Sequence, residues 1–253
     1  MCEEIRVRSF GEILDGGFEL LTERFALLVG IAALLYLPPS ILGLIWLPAS
    51  SVAPFPVADA IPAIGGHTAI SLIYVLAAWP LVSTAIIHAA NECCSGRRVT
   101  VLAALRVGWS IYLPVVGTSV LYGSIVLLGL ILVVPGIIAA LGFLVIGQVM
   151  VVERSFGAEA MRRSRALMRG HRLRGLALVV VSGSLVLFLQ SGVLLALATV
   201  PYLGYPLSAL AQAIGLAYSI AVTVLFYFDV RCRSESYDLQ LLAAAVEVRG
   251  ASA

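Results

Sequence analysis

The residues able to do chemistry in this 253-residue chain are few: His67, His88 and His171, the cysteines Cys2, Cys93, Cys94 and Cys232, and 14 carboxylates. A metal or catalytic centre needs several such groups converging, as a His/Cys/carboxylate ligand set or as a nucleophile, a base and an orienting acid. None of the histidines stands at ligand spacing from a carboxylate or cysteine, and the Cys93-Cys94 pair has neither the spacing nor the histidines of a zinc site. The four cysteines read as incidental. The residues therefore predict no enzyme, no metal and no cofactor.

The basic residues say more. All 16 are arginine and they collect in a few short clusters. Lysine is absent, which a GC-rich genome explains, as would a need for bidentate phosphate contacts. The densest cluster is Arg162, Arg163, Arg165, Arg169, Arg172 and Arg174. Beside a membrane span, each such residue gains about 1 kcal/mol from an anionic inner leaflet. These six are candidate ligands for acidic lipid headgroups, while topology alone would also place them here. Nothing in this pattern points to nucleic acid.

Placing those arginines requires the elements between them. The chain is 61% apolar and 12% charged, far from the composition of a water-soluble domain. A helix rises 1.5 Å per residue, so about 20 apolar residues cross a bilayer. That ruler predicts spans at about 25–47, 68–90, 111–133, 137–152, 176–200 and 205–228. The third and fourth come from one uncharged run, Ile111 to Val152, divided at Val134-Pro135-Gly136; the last two come from Leu176 to Phe228, divided between Pro201 and Pro206. Pro38-Pro39 is expected to kink the first span or end it early.

Orientation follows from the arginines, because short positive loops stay in the cytoplasm. Arg6, Arg8 and Arg24 precede the first span; Arg97, Arg98 and Arg106 join the second to the third; the 154–174 cluster joins the fourth to the fifth; Arg231, Arg233 and Arg249 follow the sixth. The alternate connections hold no base and one acid, Asp59. Both termini are thus expected in the cytoplasm, with residues 1–24 as an N-terminal interfacial helix and 231–253 as a tail. Acids at Glu3, Glu4, Glu12 and Asp15 argue against a cleaved signal peptide.

A short pattern recurs ahead of each odd-numbered span. Ile13 to Leu20 lays over Ala104 to Ile111 and over Ala160 to Leu167, with apolar residues at the second and eighth positions and a small one at the fifth. The fold expected is all-α and integral to the membrane: six helices as three hairpins, each preceded by a cytoplasmic amphipathic or interfacial helix, the third at about 157–170. Glu153 and Asp229, at the ends of the fourth and sixth spans, are expected to pair with arginines of the 160s segment. Ala209, Ala213, Ala217 and Ala221 form a small-residue ladder for close helix packing, within the chain or with a second copy.

The stretch Glu153 to Ser164, continuing through Leu167 to Arg169-Gly170-His171, resembles the signature of the bacterial glycerophosphoryl diester phosphodiesterase membrane-domain family. So do Phe226 to Arg233 with Tyr237-Asp238-Leu239, the opening Phe10 to Asp15, and Ala104-Leu105-Arg106. The resemblance covers nearly the whole chain and implies a multi-span protein of the bacterial cytoplasmic membrane. It does not bring the phosphodiesterase itself, which would need a separate barrel of on the order of 250 residues. Two functions are left: a membrane scaffold or partner subunit that meets anionic lipid or another membrane or cytoplasmic protein, and a permease or lipid-handling protein. The spans carry Gln148, Gln190 and Gln212 but no ionisable group at mid-depth, which disfavours an ion-coupled carrier. Oligomeric state is open.

Overall fold

The computed structural model describes residues 7–46, 57–197 and 201–235, which are helical with no strand among them. Expectations that fall on Cys2, Arg6, residues 48–56, Tyr237 to Leu239 and Arg249 lie outside the described residues. In order come α1 (Phe10–Glu23), α2 (Phe25–Trp46), α3 (Val57–Cys94), α4 (Val101–Ser110), α5 (Tyr112–Leu130), α6 (Val134–Gly142), α7 (Ile146–Val152), α8 (Gly157–Leu167), α9 (Arg172–Leu197) and α10 (Pro201–Glu235).

Six stretches are long and apolar enough to cross a membrane: Phe25–Gly43, Ala69–Cys94, Tyr112–Leu130, Val134–Val152, Arg172–Val193 and Pro206–Glu235. Their outer surfaces are apolar as well. Leu127, Leu128, Ile131 and Leu132, at the end of α5 and in the turn after it, are 66–78% exposed. Water would penalise such a surface, whereas hydrocarbon does not. The chain is a multi-pass membrane protein on this evidence.

Helix α10 is the centre of the bundle and packs on α1, α2, α3, α8 and α9. Its buried side runs from Ala209 to Val230 and meets, among others, the set Leu28, Ile31, Ala32 and Leu35 of α2, which recurs at helical spacing. Further contacts join α2 to α3, α5 to α6 and α9 to α10. The short helices follow a rule of their own: α1 packs chiefly on α10, α4 on α3 and α8 on α7, so each meets a span that is not the one it leads into.

The repeated pattern explains that contact. Its first positions, Ile13, Ala104 and Ala160, are fully buried, and its eighth positions, Leu20, Ile111 and Leu167, are nearly so. The small fifth position is where the helices come closest. A Cβ on Gly17 would stand 2.6 Å from Val222 of α10, and one on Gly108 would stand 2.9 Å from the Thr84 hydroxyl of α3. The third equivalent, Ser164, donates its hydroxyl to the Gly142 carbonyl at 2.9 Å.

Helix α2 covers Phe25–Trp46, matching the expected span at about 25–47, and runs through Pro38-Pro39 without ending early there. Proline at 38 removes the N–H that would bond the Leu34 carbonyl four residues back, and the Tyr74 hydroxyl of α3 donates to that carbonyl at 2.5 Å. A neighbouring helix thus supplies the missing donor. Helix α10 begins at Pro201 and passes Pro206, where a turn was expected; proline at the first helical position loses only an N–H that has no intrahelical partner. The fourth apolar run is interrupted: α6 ends at Gly142 and α7 starts at Ile146, with Arg165 of α8 lying 4.6 Å over the Phe143 ring in the gap. Helix α8 also meets this point through the Ser164 hydroxyl on the Gly142 carbonyl.

Replacing Tyr74 by Phe leaves the Leu34 carbonyl without its donor in apolar surroundings. The expected loss is about 1–3 kcal/mol of stability, read as a lower melting temperature in detergent with α2 protected less against hydrogen exchange around Leu34 to Pro38.

Candidate functional site

Two carboxylates gather the charged residues at one end of the bundle. Asp229 comes from the last turns of α10 and is completely buried. Its Oδ1 accepts the Arg8 backbone N–H at 2.8 Å, Arg233 Nε reaches both oxygens at 3.0–3.1 Å, and Arg174 Nη1 stands 3.3 Å from Oδ2. Arg174 and Arg233 also donate to the Arg8 carbonyl. The peptide just ahead of α1 is thereby tied to the ends of α9 and α10. One residue later Ser9 caps α1: its hydroxyl accepts the Glu12 N–H while Glu12 accepts the Ser9 N–H, a reciprocal capping box.

The second carboxylate is Glu153, at the end of α7. Arg163 of α8 binds it with two nitrogens, Nε at 2.7 Å and Nη2 at 3.1 Å, and the Tyr227 hydroxyl donates to it at 2.8 Å. Arg163 also donates to Glu235, which Arg231 joins at 3.2 Å. The hydrogen bonds to Glu235 and Glu153 raise the pKa of Arg163 above its already high ordinary value, so it stays charged. A fork-shaped guanidinium suits this double contact in a way an ammonium does not.

The cluster of six arginines therefore divides. Arg163 and Arg174 are engaged by carboxylates, and Arg172 is half-buried with its Nε enclosed and without a hydrogen-bond partner. Arg162, Arg165 and Arg169 are exposed. At 100° per residue Arg162 and Arg165 of α8 fall within about 60° of each other, and Arg169 follows in the turn after the helix. Glu153 finds its arginine in the 160s segment, whereas the partners of Asp229 are Arg174, Arg233 and the Arg8 backbone.

The alanine ladder lies inside the chain: Ala209, Ala213, Ala217 and Ala221 are all buried, and a second copy could not reach them without displacing a helix. Of the glutamines, Gln148 is buried and donates to Thr223 at 3.0 Å with its Oε1 unpartnered, while Gln190 and Gln212 are half-buried. None of them lines either of two cavities that lie among the described residues. One of these, about 490 Å³, lies at the start of α8 between Glu153, Glu159, Arg162 and Arg163; the other, about 450 Å³, is apolar and lies between α2, α3 and α4. His88 and His171 are half-buried, and no group of three or more His, Cys, Asp or Glu placed to hold a metal occurs among the described residues.

Some participants were readable in the sequence and were not read. Ser9 to Glu12 spells a capping box, and Arg231 with Glu235 is an i, i+4 pair. Nothing local marks the contact of Tyr227 with Glu153 or of the Arg8 backbone with Asp229, which join residues more than 70 apart. No family, no curated protein and no solved structure matches this chain.

Removal of the Asp229 carboxylate, Asp229→Ala, strands Arg174, Arg233 and the Arg8 N–H together. Breaking a buried pair in this way costs about 3–5 kcal/mol, and the N-terminal segment should become protease-sensitive ahead of Phe10. The pair Arg97–Glu92, in which the arginine is two-thirds exposed, is the control, with Glu92→Gln expected to cost less than Asp229→Ala because the solvated partner is left with access to water.

Proposed function

We propose that the chain is a non-enzymatic scaffold or partner subunit of a bacterial cytoplasmic membrane, with its arginine face laid on anionic lipid headgroups. Its six spans form three hairpins, each led by a cytoplasmic interfacial helix, and both termini are cytoplasmic. The cyclic contacts of α1 with α10, α4 with α3 and α8 with α7 support this arrangement. Membership of the phosphodiesterase membrane-domain family rests on the sequence resemblance.

The observation that carries the reading is the division within the arginine cluster. Glu153, Glu235 and Asp229 take Arg163 and Arg174 for structure and fix α8 and the start of α9 against the bundle. What is left free of carboxylates, Arg162, Arg165 and Arg169, is an exposed basic surface on and just after α8, with Arg165 also lying over the Phe143 ring. A basic strip fixed beside membrane spans meets headgroup phosphates at little further entropic cost. The same face would serve an acidic protein partner.

The test uses the triple variant R162Q/R165Q/R169Q, which touches none of the carboxylate pairs. In vesicles of mixed phosphatidylglycerol and phosphatidylcholine, wild-type protein should enrich phosphatidylglycerol around itself, the triple variant should lose that enrichment, and added salt should weaken it in wild type. Equal enrichment by both proteins would sink the headgroup reading. Loss of a co-purifying protein in place of lipid would move it to the partner-subunit form.

A further inference from the structure

The apolar cavity between α2, α3 and α4 shares no residue with the two carboxylate clusters. Its walls include Leu34 of α2, Ala78 of α3 and Leu105 of α4. The polar atoms of Tyr74 and Leu34 on those walls are already joined, hydroxyl to carbonyl. A polar solute would find nothing to bind there.

At one edge stand Arg106 and Trp109, both exposed. Trp109 stacks on Tyr112 with ring centroids 5.6 Å apart, an aromatic pair of the kind that sits at headgroup level. Among the described residues no carboxylate lines the groove to neutralise Arg106. Apolar walls with one uncompensated guanidinium at the edge have the polarity of a single lipid: hydrocarbon along the groove and a phosphate at its mouth.

We infer that this groove holds one anionic phospholipid, with an acyl chain along Leu34, Ala78 and Leu105 and the phosphate bound by Arg106. The site goes beyond the arginine face of α8, because it selects an individual lipid by chain and headgroup together. The lead helix α4 forms one wall and carries the basic group. A bidentate guanidinium–phosphate contact makes the site prefer a negatively charged lipid over a zwitterionic one, whose own cation offsets the phosphate.

Full-length protein in vesicles is photolabelled with phosphatidylglycerol or phosphatidylcholine bearing a diazirine in the acyl chain, and the adducts are mapped by peptide mass spectrometry. Phosphatidylglycerol adducts should concentrate on Leu34, Ala78 and Leu105 and exceed phosphatidylcholine adducts there by roughly tenfold, the worth of one charge-assisted contact. R106Q should abolish the difference and R106K should keep part of it. Ala78→Trp, which fills the groove, should remove adducts from it in protein whose melting temperature is unchanged. R162Q/R165Q/R169Q should leave groove labelling as in wild type, which separates this site from the arginine face. Equal labelling by the two lipids, an undiminished preference in R106Q, or adducts spread evenly over the lipid-facing surface would overturn the inference, as would occupation of the groove by a crosslinked protein.

Discussion

A buried aspartate holds the charged end of this molecule together. Asp229 sits on the central helix with no contact with solvent, and an isolated carboxylate there would be untenable. It is stable because two guanidiniums and a backbone N–H converge on it from α9, from its own helix and from the residue ahead of α1. The consequence is geometric. Elements far apart in sequence must meet at one point, so the first helix, the fifth span and the sixth are fixed relative to one another. Glu153 acts likewise for α7, α8 and α10 through Arg163, Tyr227 and Arg231.

Hydrocarbon supplies no hydrophobic drive between spans, so the bundle must rely on close packing and on satisfied backbone groups. Both are visible. The alanine ladder of α10 and the small fifth position of each lead helix bring backbones together. Tyr74 provides the hydrogen bond that Pro38 removes from α2. Ser164 binds the end of α6 where the fourth apolar run breaks. The polar groups in and beside the spans are therefore mostly structural, which is why the outward arginines and the groove of α4 stand out.

The membrane segments were legible because composition and length suffice to find them: each of the six apolar stretches overlaps its expected span. Their limits were less so. Helices α3 and α10 continue to Cys94 and Glu235, past the apolar run, because ion pairs and the neighbouring short helices cover their ends. The interruption at Phe143 to Val145 lies against Arg165 of α8, a tertiary contact that no window of sequence contains. Charge spacing assigned both Glu153 and Asp229 to arginines of the 160s segment, which holds for Glu153 with Arg163 and not for Asp229, whose partners are Arg174, Arg233 and the Arg8 backbone. An arginine reaches several carboxylates once the chain folds, and only the fold decides which of the six remain outward.

The central claim is that the arginine-bearing helix ends lie on one side of the membrane and the uncharged turns on the other. With Cys2, Cys93, Cys94 and Cys232 replaced by serine, single cysteines Ser95→Cys, Arg169→Cys and Leu132→Cys are probed in intact cells by a membrane-impermeant maleimide. The account predicts labelling of Leu132→Cys from outside, and of Ser95→Cys and Arg169→Cys only after the membrane is opened. Labelling of Ser95→Cys and Arg169→Cys from opposite sides, or of all three from the same side, would contradict it.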